Sequence, residues 1–191
     1  MTIALVGMPG CGKSTIGRHL ARGLGWCFVD SDHEIEARLG GSIRAHFEQF
    51  GEDSFRAVET QVIAELVLQE RTVLATGGGA VLRAENRAAL TRGNNRVVYL
   101  RSQPEDLVRR LRHDTQRPLL QGVDPLRKLR DLFRQRDPLY REVAHHIVDT
   151  GRTSIPTLVN LLVMQLELSG ATAAGRADKP TTDPADPASR G

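Results

Sequence analysis

The chain has 191 residues, 40% hydrophobic and 26% charged, which suits one soluble globular domain with its own core. A net charge of only +3, with 23 acidic residues and 4% aromatics, argues against a nucleic-acid binder built on a basic tract or a stacking platform, and small anions account better for the arginines. No apolar stretch reaches membrane-spanning length, and two cysteines, Cys11 and Cys27, are too few for a disulfide scaffold or a metal site.

The run Thr2-Ile3-Ala4-Leu5-Val6 predicts a buried first strand, which is expected to leave no room for a signal peptide. Behind it, Gly7-Met8-Pro9-Gly10-Cys11-Gly12-Lys13-Ser14 fits the phosphate-binding P-loop, and the spacing of Ile16, Leu20 and Leu24 predicts a helix over 14–24. Backbone N–H groups from Gly10, Cys11 and Gly12 into Ser14 and Thr15 are expected to cradle an anion at the helix N-terminus. Lys13 is expected to face solvent and supply charge at the outer phosphates, and the Ser14 hydroxyl to ligate Mg²⁺. No other lysine occurs before Lys128 in this arginine-rich chain.

Further strands are predicted at 26–29, 72–75, 96–100 and 146–148. Helices are predicted at 32–39, 42–50, 53–69, 84–91, 104–113, 125–136 and 154–168. The alternation argues an α/β sandwich around a parallel sheet. From Ser169 onward the sequence has almost no large apolar residue, so residues 1–168 are expected to form the domain and 169–191 a disordered tail.

Asp30 and Asp32 end the second strand, where both carboxylates are expected on one side, one for Mg²⁺ and one for an attacking hydroxyl; the plainer alternative is that Asp32 caps the next helix. Gly77, Gly78 and Gly79 close the third strand, either as a ligand-contacting backbone or as a simple turn. Arg56 and Glu59, three apart on a helix, suit either a carboxylate clamp or a surface ion pair. The polar stretch 113–124, carrying Arg117, is either a mobile lid or a linker. Arg136 is expected to end its helix before the Asp137-Pro138 break.

Taken together, the P-loop, Asp30-x-Asp32, Phe55-Arg56-x-x-Glu59, Gly77-Gly78-Gly79, Arg117-Pro118-Leu119-Leu120 and Arg136-x-Pro138-Leu139-Tyr140 follow the order and spacing of the shikimate kinase family. The chain resembles that family from Thr2 to about Leu168. The resemblance implies a three-layer α/β sandwich with a five-stranded parallel sheet in the order 2-3-1-4-5, helices on both faces and a mobile lid. It implies ATP and Mg²⁺ as co-substrate and cofactor, and phosphorylation of shikimate at its 3-hydroxyl. The residues matching Asp32, Arg56, Gly78, Gly79 and Arg136 would bind shikimate, with Gly77 completing the glycine run. Ser14 and Asp30 would serve the metal, and Lys13, Asp32 and Arg117 the chemistry. Arg109 or Arg110 would stack on adenine, with Arg110 taken as the nucleotide contact, and Arg152 would lie in the adenine loop. A cytoplasmic monomer acting on small molecules, without nucleic acid or membrane, is expected. The rival readings are a sugar-acid kinase such as gluconate kinase, and a nucleotide-binding interaction protein without turnover.

Overall fold

A computed structural model of the chain describes residues 1–111, 124–151 and 153–170. The expected lid, with Arg117, therefore lies outside the described residues except for Asp124, as do Arg152 and residues 171–191 of the expected tail.

Strand β1 (Thr2–Val6) is buried along its whole length, as an unbroken apolar run requires at the middle of a parallel sheet. Helix α1 (Lys13–Leu24) turns Ile16, Leu20 and Ala21 into the core and stops at Gly25, which takes the left-handed conformation that frees its N–H for the last carbonyls. Strand β2 (Cys27–Asp30) leads directly into α2 (Ser31–Leu39), whose N-cap is Asp30: its side chain accepts the N–H of Asp32. The capping role thus belongs to Asp30 and not to Asp32, and Asp32 sits in the first helical turn, not on the strand.

Helix α3 (Ile43–Leu66) joins the two predicted helices through Gly51, whose φ of 79° and ψ of 177° are non-helical, so two arms meet there at a kink. Strand β3 (Thr72–Ala75), α4 (Ala84–Leu90), β4 (Arg96–Arg101) and α5 (Pro104–Leu111) follow. Asp124 then caps α6 (Pro125–Val143), its side chain accepting from Arg127 N–H. This helix runs through Pro138 instead of stopping at Arg136. Pro138 forfeits one backbone hydrogen bond, while Tyr140 and Val143, both buried, hold the turn beyond it against the core. Strand β5 (His146–Asp149) and α7 (Ile155–Leu168), capped by Ser154, complete the chain.

All strand pairs are parallel, in the order β2-β3-β1-β4-β5. The step from β1 to β2 runs toward one edge and the later steps run toward the other, so right-handed crossovers send α1 to one face and the following helices to the opposite face. Helix α7 packs on α1, and α5 packs on α6. Register decides where the site falls: Ala75 pairs with Leu5 on one side and with Asp30 on the other. The loops that leave β1, β2 and β3 therefore emerge level, at the carboxyl edge where such sheets bind ligands.

Candidate active site

The loop after β1 takes its shape from close packing. At Gly7, with φ of 147°, a Cβ would stand 2.5 Å from the carbonyl oxygen of Leu100 and 2.9 Å from Cys11 Sγ. Lys13, expected at the surface, is only 8% exposed; its Nζ donates to the carbonyls of Gly7 and Met8, both at 2.9 Å. The ammonium ties the loop to itself, because a short loop around a helix start leaves carbonyls that need donors. Among its neighbours is Cys11, a fully buried thiol.

At the start of α1 the Ser14 hydroxyl donates to Asp30 Oδ2 at 2.6 Å, while Asp30 Oδ1 holds the Asp32 N–H at 3.1 Å. A hydroxyl and a carboxylate in contact are hard oxygen donors suited to Mg²⁺, which keeps most of its waters and relies on phosphate oxygens for the rest. Among the described residues no group of three His, Cys, Asp or Glu side chains could hold a metal ion by itself. The Asp32 carboxylate lies against the glycine run: a Cβ on Gly77 would stand 2.8 Å from Asp32 Oδ1 and 3.2 Å from Glu59 Oε1. Gly77 N–H is held by the Ser31 hydroxyl at 3.0 Å.

On the second arm of α3, Arg56 and Glu59 form no surface pair. Their side chains are 11% and 1% exposed and meet at 2.7 Å. Arg56 also reaches Glu52, and its guanidinium lies on the backbone of Gly79. Burial outweighs the attraction of Arg56 and raises the Glu59 carboxyl above the ordinary glutamate range, with the negative charge of Asp32 adding to the rise and Arg136 opposing it. Arg136 thus faces the same cluster from α6, and its Nε is buried with no hydrogen-bond partner. One turn on, the Tyr140 hydroxyl donates to the Gly78 carbonyl at 2.5 Å. A contact between residues 62 apart leaves no local pattern in the sequence, so the motif that contains Tyr140 gives it no role.

A second opening, with about 300 Å³ of cavity, lies on the other side of the phosphate loop, between Gly10, Cys11, Gly12 and Thr15, the 150s loop and α7. Arg110 lines it and donates to the carbonyl of Thr150. Arg109 is paired with Asp106 on its own helix. Ile155 and Leu158 add apolar walls, and Leu158 carries no sequence signal of this because it looks like any core position of α7.

An anion cradle thus stands between a cavity and a cluster that offers arginine to a carboxylate. The shikimate kinase family model matches residues 9–167, from inside the phosphate loop to the last turn of α7. The chain belongs to the shikimate kinase family. A curated shikimate kinase of Ralstonia nicotianae is 51% identical over 180 residues, covering 94% of both proteins. One from Burkholderia lata is 55% identical over 171 residues, or 90% of this chain and 92% of the relative. The solved structure of the shikimate kinase from Acinetobacter baumannii in complex with shikimate superposes with a TM-score of 0.82 at 48% identity, covering 88% of this chain and 93% of that one. The matched span takes in every residue of the site except Gly7 and Met8, which precede it. No helix among the described residues is long and apolar enough to cross a membrane.

Proposed function

We infer that the chain transfers the terminal phosphoryl group of ATP to the 3-hydroxyl of shikimate, giving shikimate 3-phosphate and ADP, a step toward chorismate and the aromatic amino acids. The observation that carries this reading is the cluster of buried Glu59 with half-buried Arg56 and Arg136 beside the glycine run, on the carboxyl edge that also bears the phosphate loop, in a member of this family. Arg56 already balances Glu52 and Glu59, whereas Arg136 brings a buried donor with no partner. A planar guanidinium pair of this kind suits a carboxylate better than lysine does.

In this reading the backbone of Gly10 to Thr15 and the Lys13 ammonium bind the ATP phosphates. Ser14 and Asp30 hold Mg²⁺, which when bound neutralises charge on the phosphate oxygens. Lys13 leaves its two carbonyls to follow the phosphates, so the same charge serves the empty and the loaded loop. Asp32, close to Gly77, accepts a hydrogen bond from the acceptor hydroxyl and takes its proton late, since a carboxylate is a weak base for an alcohol. Gly77, Gly78 and Gly79 offer backbone to the substrate, and Arg56 and Arg136 take its carboxylate. Arg110 packs on adenine with help from Arg152, and Arg117 brings positive charge from the lid. Residues 1–168 make the kinase domain and 169–191 a tail without a catalytic part. We also propose a cytoplasmic monomer that binds neither nucleic acid nor membrane; the free thiols Cys11 and Cys27 are compatible with a reducing compartment.

A coupled assay for ADP with shikimate and MgATP, run beside gluconate, tests the whole reading. Shikimate-dependent ADP release with no response to gluconate is expected. Arg56→Lys, which keeps the charge and loses the fork, is expected to raise the KM for shikimate by more than about tenfold. Equal turnover of both acids, or ATP consumption indifferent to shikimate, would overturn it.

A further inference from the structure

The chain has only two tyrosines, and both are fully buried against each other between α6 and the sheet. The rings of Tyr99, on β4, and Tyr140, on α6, lie 5.0 Å apart at 31°. Each hydroxyl is used. Tyr99 donates to Asp137 Oδ1 at 2.8 Å, and the other oxygen of Asp137 takes Arg141 at 2.7 Å. Tyr140 reaches out of α6 to the Gly78 carbonyl; burial pushes the pKa of its hydroxyl up, and the guanidinium of Arg136 beside it opposes that rise only in part.

The result is a closed circuit. Arg56 pairs with Glu59, Glu59 feels Arg136, Arg136 stands beside Tyr140, Tyr140 bonds Gly78, and Gly79 carries Arg56 on its backbone. The two arginines come from helices whose sequence positions are 80 residues apart, and within the circuit the Tyr140 hydroxyl is the hydrogen bond that fastens α6 to the glycine run. Pro138 sharpens the need for it. That residue lacks the N–H that would bond the Arg134 carbonyl, in the turn that carries Arg136, so this stretch of α6 depends more than most on contacts from outside the helix. A displacement of about 1 Å at a charge clamp weakens a bidentate contact severely.

We propose that Tyr140 is a positioning residue for the acceptor: its hydroxyl sets the distance between Arg136 and the glycine run, and so between the two arginines, while Tyr99 and Asp137 brace its ring and helix from the sheet. This rests on the assignment of Arg136 to the shikimate carboxylate. Tyr140 itself touches no substrate. Its loss is therefore felt in the binding of the carboxylate and not in the nucleotide half of the site.

The test is Tyr140→Phe, which keeps the stacked ring and deletes the hydroxyl, measured beside Arg136→Lys. The expected result is a KM for shikimate raised about tenfold, with kcat and the KM for ATP changed less than about twofold. A carboxylate-free reduced analogue of shikimate should be bound equally by Tyr140→Phe and the native chain. If Arg136→Lys raises the shikimate KM and Tyr140→Phe does not, the positioning role falls while the carboxylate assignment stands. If Arg136→Lys leaves that KM unchanged, both fall. Should Tyr140→Phe fail to fold, the native chain labelled with 3-fluorotyrosine decides, because two tyrosines give two fluorine resonances, assigned with Tyr99→Phe. The Tyr140 signal is expected to shift with shikimate and not with the reduced analogue, and an equal response to both, or none, would overturn the proposal.

Discussion

The guanidinium of Arg56 rests on the backbone of Gly79 so closely that a Cβ there would stand 2.5 Å from both of its terminal nitrogens. Arg56 has nowhere cheap to go, because Glu52 and Glu59 hold it from the other side. Gly79→Ala should therefore push the guanidinium out of register and raise the shikimate KM by more than about tenfold, with the KM for ATP nearly constant. Steady-state kinetics with each substrate varied in turn checks this, and an unchanged shikimate KM would mean that Arg56 does not act from this position.

Lys13→Ala should lower kcat by at least about a hundredfold, since phosphoryl transfer depends on charge brought to the phosphate oxygens. The buried position of Lys13 adds a second effect. With the Gly7 and Met8 carbonyls released, stability should fall by roughly 1 kcal/mol, a few degrees in Tm, because water replaces the lost donor only in part. Retention of near-native turnover would remove the phosphate loop from the mechanism.

For the lid, Arg117→Ala should cut kcat by on the order of a hundredfold while the KM for ATP changes far less, as expected of a charge that matters most in the transition state. Matched losses in kcat and in ATP affinity would instead make Arg117 a ground-state phosphate contact.

Acid should loosen the β4–β5 edge. His145 Nδ1 accepts the Val97 N–H at 3.1 Å, and its own backbone N–H donates to the Val97 carbonyl at 2.9 Å. Burial, then the cations Arg96 and His146, hold its pKa below the ordinary histidine value. The folded chain thus takes up this proton less readily than the unfolded chain. The stabilising contribution is complete above the unfolded value of about 6.5 and is lost as pH falls through the folded one. His145→Asn keeps an acceptor for Val97 and does not titrate, so its Tm should fall less than the native Tm between about pH 7 and pH 5. Parallel curves would exclude His145 as the source.

Removing residues 171–191 should leave kcat and Tm almost unchanged, because Ala, Pro, Asp and Thr offer little apolar area with which to offset the entropy of docking. A Tm loss of several degrees would reveal a packed tail.

Much of the site was legible because its signals are short. The phosphate loop is eight consecutive residues between an apolar run and a helical pattern, and Arg56 with Glu59 spans one turn. What escaped depends on distance or on competition between local rules. Asp32 looks like a helix cap, and only the backbone path shows that Asp30 takes that place while Asp32 lies against the glycine run. Pro138 signals a helix end locally, yet Tyr140 and Val143 are buried beyond it and carry α6 onward. Lys13 reads as a surface charge until the carbonyls that fold back over it are known.

Gly7 carries a lesson for protein engineering. Its missing side chain answers to Leu100 on the neighbouring strand and to the Cys11 thiol. An eight-residue cassette transplanted onto another sheet would bring the anion-binding backbone without the surface that forces its entry angle. A working graft has to include β4 as well, so the smallest portable unit of the anion cradle is β1, its loop and α1 together with the neighbouring strand, and its sequence is discontinuous.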